Sequence, residues 1–60
     1  MDELMCRLSD AMARGMQILF AGCSPDGENW IVRTNRTTYY GPSLVDVLNA
    51  LVAHEEARVQ

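Results

Sequence analysis

The sequence predicts an α+β fold in which two helices pack on one face of a small antiparallel sheet. Apolar residues repeat at helical spacing near both ends, alternate at strand spacing in the middle, and are separated by strong turn residues. The expected order is α-β-β-(β)-α, with two or three strands. With 60 residues, of which 48% are apolar, the chain predicts a single domain over 1–60 with a real but small core.

The segment Asp2–Arg14 is predicted to be an amphipathic helix. Its apolar residues recur at three- and four-residue steps, which places on one face Leu4, Met5, Leu8, Ala11 and Met12. On the outer face, ion pairs four residues apart are expected between Glu3 and Arg7 and between Asp10 and Arg14. The glycine that follows predicts the end of the helix.

The middle of the chain is predicted to form a β-hairpin. The segments Met16–Cys23 and Asn29–Thr34 are too short for further helices and are joined by Ser24-Pro25-Asp26-Gly27, a strong turn sequence. We expect Ile18 and Phe20 to share one face of the first strand, because side chains alternate along a strand.

A short third strand and a final helix complete the prediction. The β-branched and aromatic residues of Thr37–Tyr40 favour a strand, although the preceding Asn35-Arg36 is a weak turn signal. Ser43 is the expected N-cap of the last helix, with Asp46 as its capping-box partner. The buried stripe of that helix is expected to comprise Leu44, Val47, Leu48, Leu51 and Val52.

The charge balance narrows the functional classes. Eight acidic residues face five arginines, which gives a formal net charge of -3. This balance argues against general nucleic-acid binding and against docking on anionic membranes, both of which need cationic side chains. The start of the chain does not resemble a secretory signal, and no apolar run is long enough to span a bilayer, so we expect a cytoplasmic protein in a bacterial host cell.

Neither catalysis nor a bound cofactor is expected from the reactive side chains. His54 is the single histidine, and no nucleophile or acid stands at a spacing that would make it catalytic. Cys6, Cys23 and His54 do not form pairs at zinc-ligand spacing, so no metal site is expected. The sequence therefore predicts a non-enzymatic binding protein without a cofactor.

Acidic side chains are the first candidate binding surface. Five of them lack an obvious arginine partner nearby in the sequence: Asp26, Glu28, Asp46, Glu55 and Glu56. Carboxylates one helical turn apart lie about 5–6 Å from each other, a spacing similar to that of DNA phosphates along a strand. Such an array could occupy a basic nucleic-acid channel through charge complementarity. The alternative is a solvated face that only keeps the protein soluble.

Aromatic side chains near the third strand are the second candidate surface. Tyr39 and Tyr40 are adjacent, so on a strand they would point to opposite faces, and one would leave the core. With Arg33 and Arg36, an exposed tyrosine could form a stacking platform for single-stranded nucleic acid. The same residues are also typical of protein-binding or self-association surfaces, and simple packing is the third interpretation.

The chain resembles small acidic proteins of bacteriophages and mobile elements, in particular a compact acidic α/β type of anti-CRISPR protein that inhibits type I-C systems. The resemblance lies in general features and extends over the whole chain. It rests on the length, the Met1-Asp2-Glu3 start, the Ser24-Pro25-Asp26-Gly27 hairpin and the short closing helix through Glu55-Glu56. It implies an inhibitor that binds the CRISPR effector complex and blocks DNA recognition by occupancy, in some cases by imitating the charge of DNA.

Two functional hypotheses follow. The first is an inhibitor that binds a host protein complex through an acidic or mixed acidic and aromatic surface. The second is a small interaction or regulatory module that forms a homodimer through its open sheet face or an edge strand. That module would bind nucleic acid, if at all, through Arg33, Arg36 and an exposed tyrosine.

Overall fold

The protein folds as α-β-β-β-α, which confirms the predicted α+β class and includes the third strand. A computed structural model describes residues 2–58. The elements are α1 (Glu3–Ala13), β1 (Ile18–Cys23), β2 (Trp30–Thr34), β3 (Thr38–Gly41) and α2 (Leu44–Arg58). The strands form one antiparallel sheet in the order β1-β2-β3.

Local signals fix both ends of α1. The carboxylate of Asp2 accepts a hydrogen bond from the Leu4 N–H at 2.9 Å, which satisfies one of the N–H groups that a helix leaves unpaired at its start. At the other end Gly15 has a φ of +105°, a conformation that residues with a Cβ rarely adopt. The glycine therefore ends the helix, as its position in the sequence predicted.

The buried face of α1 is narrower than its apolar stripe. Leu8 and Ala11 are buried, whereas Met5 and Met12 are each 48% exposed. The prediction that both methionines belong to the buried face was wrong. The reason is that the backbone of α1 packs against α2 and not against the strands, so only a narrow stripe of its surface is covered.

A β-bulge changes the face on which the first strand presents its side chains. Ile18 pairs with Thr34, but Phe20 pairs with Arg33, so Leu19 is an extra residue in β1. Because Arg33 and Thr34 are neighbours on β2, they point to opposite faces, and so do their partners. The prediction that Ile18 and Phe20 share a face was therefore wrong.

Only two of the three strands are covered by a helix. Helix α2 packs on β2 and β3, whereas within residues 2–58 no helix backbone packs on β1, of which the half-buried Ile18 contacts the core. Val32 is fully buried on the covered face, and the side chain of Tyr39, its partner on β3, lies on the same face. Tyr40 lies on the open face opposite Ile31 and is 67% exposed. The adjacent tyrosines therefore point to opposite faces, as the sequence predicted.

The core lies between α2, the inner face of α1 and the covered face of the sheet. Each fully buried valine, leucine or methionine side chain contributes about 1.5–3 kcal/mol relative to an exposed one. The core comprises Leu8, Ala11, Met16, Val32, Val47, Leu51 and Val52. The predicted stripe of α2 is confirmed at Val47, Leu51 and Val52, whereas Leu44 at the first turn is exposed.

Candidate partner-binding surface

The start of α2 holds an exposed carboxylate in a fixed position. The Asp46 N–H donates to the Ser43 hydroxyl oxygen at 3.2 Å, which confirms Ser43 as the N-cap. The Ser43 hydroxyl in turn lies 3.1 Å from Oδ2 of Asp46 and donates to it. Asp46 is exposed and stands at the positive end of the helix dipole, where a negative charge is stabilised.

The β1–β2 hairpin presents a second pair of carboxylates. The turn is closed by a hydrogen bond from the Ser24 N–H to the Asn29 carbonyl at 2.8 Å. The Asp26 carboxylate accepts from the Ser24 hydroxyl and from the Glu28 N–H, the latter at 3.0 Å. These bonds, above all that from Ser24, lower the pKa of Asp26. Asp26 therefore remains ionised at neutral pH, and beside it Glu28 is exposed.

Both helices begin at the same end of the molecule. A groove of about 340 Å³ lies between their first turns and is lined by Asp2, Glu3, Leu4, Arg7, Val45 and Asn49. At the opposite end, the Arg36 guanidinium contacts the last turns of both helices, since it donates to the Arg14 carbonyl at 3.2 Å and to Glu55 at 2.6 Å. The helices therefore run parallel, and the exposed carboxylates of Asp2 and Glu3 lie at the Asp46 end.

The hairpin lies at this end as well. Trp30, which follows the hairpin, pairs with Gly41 at the end of β3. Gly41 is in turn next to the first turn of α2, because a Cβ placed on it would be 3.8 Å from that of Asp46. The antiparallel topology thus gathers five exposed carboxylates at one end of the protein. We call this set the acidic pole: Asp2, Glu3, Asp26, Glu28 and Asp46.

The acidic pole carries the negative charge that the arginines do not neutralise. In the described part of the chain, ion pairs join Arg7 to Glu56, Arg14 to Asp10 and Arg36 to Glu55. Among residues 2–58, no member of the acidic pole belongs to an ion pair. Four of the five arginines, by contrast, lie toward the end where the helices finish: Arg14, Arg33, Arg36 and Arg58. The charge distribution is therefore strongly asymmetric along the molecule.

Glu55, which the sequence analysis placed among the partner-binding candidates, is a buried residue of the fold. Its side chain is 2% exposed and its Oε1 lies 2.6 Å from the Arg36 guanidinium. Its second oxygen, Oε2, is buried and has no hydrogen-bond partner among the described residues. Glu55 has no arginine partner nearby in the sequence, as expected, but it is paired with Arg36 of the β2–β3 turn, nineteen residues away. A buried carboxylate offers no surface to another molecule.

Glu56 is also paired, across the two helices. Its carboxylate accepts two hydrogen bonds from Arg7, at 2.8 Å from Nε and 2.7 Å from the terminal nitrogen. This bidentate contact lowers the pKa of Glu56 and raises that of Arg7. Arg7 thus bonds to Glu56 and not to Glu3, which corrects the expected Glu3–Arg7 pair; the pair between Asp10 and Arg14 is confirmed.

The tyrosines and arginines of the second candidate surface are divided between two environments. The Tyr39 hydroxyl lies 2.6 Å from Nδ1 of His54, and burial, the largest cause, raises the pKa of Tyr39. Arg36 is paired with Glu55. Neither Tyr39 nor Arg36 is therefore available for the partner contact that the sequence predicted. Tyr40 and Arg33 remain exposed, and both belong to the open sheet face.

The structure places the predicted acidic residues in two groups. Asp26, Glu28 and Asp46 come together at the acidic pole, whereas Glu55 and Glu56 lie elsewhere in ion pairs. The sequence analysis passed over Glu3 as a surface candidate because it paired Glu3 with Arg7, which instead bonds to Glu56 across the helices; Asp2 was taken only as the first residue of the helix. No signal in the sequence could have revealed that contact, since Arg7 and Glu56 are 49 residues apart.

Within residues 2–58, no three histidine, cysteine, aspartate or glutamate side chains lie close enough to hold a metal ion. Neither helix of this part of the chain is long and apolar enough to cross a membrane. No protein-family model, curated protein or solved structure matches the chain.

Proposed function

We propose that this protein is a non-enzymatic inhibitor that uses its acidic pole to bind a basic, nucleic-acid-binding surface of a host protein complex. The observation that carries the proposal is the segregation of charge. The exposed carboxylates that belong to no ion pair within residues 2–58 gather at one end of the protein. The arginines are in ion pairs or lie toward the other end. A surface that only kept the protein soluble would not need such segregation.

The acidic pole is suited to binding because its carboxylates are charged and held in place before a partner arrives. Asp2 and Asp46 cap or begin helices, and Asp26 is fixed by the hairpin turn. Ordered groups lose little conformational freedom on binding, so more of their interaction energy appears as affinity. Complementary charge also accelerates association and favours basic partners over acidic ones.

The resemblance to anti-CRISPR proteins suggests which host complex is the partner, namely the type I-C effector. Its DNA-binding channel must be basic, because it binds the phosphate backbone. In this proposal the acidic pole occupies part of that channel and excludes DNA. The step is competition for a surface and requires no chemical reaction.

Competition for DNA tests the proposal directly. Purified effector complex is mixed with fluorescently labelled target DNA, and anisotropy is followed while the protein is added. The proposal predicts loss of DNA binding, with an inhibition constant that weakens as salt is raised. If DNA remains bound at saturating protein and low salt, the effector is not the partner or the DNA channel is not the site.

A nucleic-acid-binding module is the second candidate function, and the open sheet face supports it. Phe20, Arg33 and Tyr40 share that face, so aromatic and cationic side chains stand together as in surfaces on which bases stack. The net charge of -3 opposes this function. Anisotropy of labelled single-stranded DNA at low salt separates the two candidates, since the inhibitor predicts no binding by the protein alone.

A further inference from the structure

The first strand is an apolar sheet edge that the rest of the protein leaves uncovered. In the part of the chain that the structure describes, no helix packs on β1, and four of its six residues are exposed: Leu19, Phe20, Ala21 and Cys23. Exposed edges in natural proteins are commonly protected by charged residues or proline, which prevent another strand from pairing. The strand, with the sequence Ile-Leu-Phe-Ala-Gly-Cys, contains neither.

The hydrogen-bonding groups on this edge can be assigned from the hairpin. Ser24 and Asn29 form a hydrogen-bonded pair at the turn, and such pairs alternate along an antiparallel ladder. Gly22 and Phe20 therefore direct their backbone groups toward β2. Ala21 and Cys23 direct their N–H and C=O groups away from β2, toward the free edge.

We propose that β1 pairs with β1 of a second copy of this chain, antiparallel about a two-fold axis at Ala21. Pairing of the outward-facing residues places Ala21 opposite Ala21 of the second copy, and both are small enough for close approach. The two sheets join into one of six strands. The two-fold axis makes the contact self-complementary, as in most homodimers.

The same register places Phe20 opposite Gly22 of the second copy on the open face. Within one chain the Phe20 ring already lies over Gly22, 2.9 Å from the position that a Cβ on this glycine would occupy. A side chain on Gly22 would exclude the ring. The chain's own Phe20 ring fills the space over Gly22, so Phe20 of the second copy comes to lie beside that ring, and the dimer buries two aromatic rings that are 52% exposed in the single chain.

Charge complementarity also favours a second copy as the occupant. Antiparallel pairing brings the hairpin of one copy, with Asp26 and Glu28, beside the start of β1 in the other. That end of the sheet carries Arg33, which is exposed, pairs with Phe20 of β1 and belongs to no ion pair within residues 2–58. The two-fold axis therefore brings an acidic hairpin toward a cationic end at both ends of the paired strands, and β1 itself carries no charged side chain that would oppose the pairing.

A charge exchange at Ala21 tests the proposal. The exposed Ala21 side chain does not contact a helix, so Ala21→Glu and Ala21→Lys should leave the fold intact. Each variant alone places like charges directly opposite at the two-fold axis and should raise the dimer dissociation constant about fivefold or more. An equimolar mixture places Glu opposite Lys and should restore the dimer. Ala53→Glu, on the exposed face of α2, is the matched control and should dimerise like the wild type.

Sedimentation velocity over a range of concentrations gives the dissociation constants, and hydrogen exchange locates the contact. The proposal predicts that the Ala21 and Cys23 amides become protected as the concentration rises, while those of Asp2 and Glu3 do not change. A wild-type chain that remains monomeric at its highest soluble concentration would overturn the proposal. The edge of β1 would then be open to pairing with a strand of another protein. Dimers that are unaffected by either Ala21 substitution would also overturn it. Because no member of the acidic pole is changed, these results are independent of the inhibitor function.

Discussion

The Arg36 guanidinium lies 2.6 Å from the buried Glu55 carboxylate and also donates to the Arg14 carbonyl at the end of α1. One side chain from the β2–β3 turn therefore connects the sheet to the last turns of both helices. In a protein of 60 residues with a small core, such a contact has a large effect on stability.

Replacement of Arg36 by alanine should destabilise the protein strongly. The change leaves the Glu55 carboxylate buried without a counter-charge, which costs about 3 kcal/mol in comparable pairs. Urea unfolding monitored by circular dichroism measures the loss. Arg33→Ala is the matched control, because Arg33 is exposed and has no ion pair within residues 2–58, and it should change stability by less than about 0.5 kcal/mol.

A double replacement separates the pair's net contribution from the cost of leaving one charge alone. Arg36→Met with Glu55→Leu removes both charges and the unpartnered Oε2 of Glu55. We expect the double variant to be more stable than Arg36→Ala by about 2 kcal/mol or more. If the double variant is the less stable of the two, the burial of Glu55 is not the source of the cost.

The hairpin that presents Asp26 and Glu28 depends on the conformation of Gly27. This residue has a φ of +76°, and no atom lies within 4 Å of the position that a Cβ would take. Gly27→Ala should therefore destabilise the protein through backbone strain alone, by about 1 kcal/mol. Gly27→Asn should cost less, because asparagine tolerates this conformation better. Equal losses for both variants in thermal unfolding would contradict this explanation.

The Arg7–Glu56 contact should make stability depend on pH in the acidic range. The contact lowers the pKa of Glu56 in the folded state, so its stabilising effect is complete above the unfolded-state pKa of about 4.3. The effect is lost as the pH falls through the lower folded-state value. Glu56→Gln should remove this part of the acid dependence, measured as the difference between urea midpoints at neutral and acidic pH. A carbon-detected NMR titration that gives Glu56 an ordinary pKa would show that the contact is absent in solution.

The sequence predicted those parts of the fold that depend on nearby residues. The N-cap at Ser43 was visible because capping joins residues two or three positions apart, and the hairpin turn because proline fixes φ and glycine tolerates a positive φ. The bulge at Leu19 was not predicted, because it depends on how two strands align. The alternation of apolar residues in β1 does not reveal it.

The candidate site was predicted only in part, for a related reason. Exposure of Asp26, Glu28 and Asp46 follows from turn and cap positions, which lie on the surface. Burial of Glu55 depends on an arginine that arrives from another element, so counting local partners could not detect it. The two helix starts and the hairpin lie at the same end of the protein because the number and direction of the strands place them there. This too depends on the topology and not on residues that are close in the sequence.

If the protein is the proposed inhibitor, the position of the acidic pole, and not net charge alone, determines its binding to the host complex. Two variants with equal net charge separate these explanations. One removes three of the five charges of the pole by Glu3→Gln, Glu28→Gln and Asp46→Asn; the other adds Gln17→Lys, Ala53→Lys and Ala57→Lys at exposed positions outside the pole. Circular dichroism and urea unfolding first establish that both variants are folded.

The most direct test is the dissociation constant of each variant for the purified type I-C effector complex, measured by biolayer interferometry at low and physiological salt. The proposed inhibitor function predicts that the pole variant binds about tenfold or more weakly than the wild type and loses most of its salt dependence, while the lysine variant binds within a few-fold of the wild type. Equal affinities for the pole variant and the wild type, or equal losses in the two variants, would contradict it.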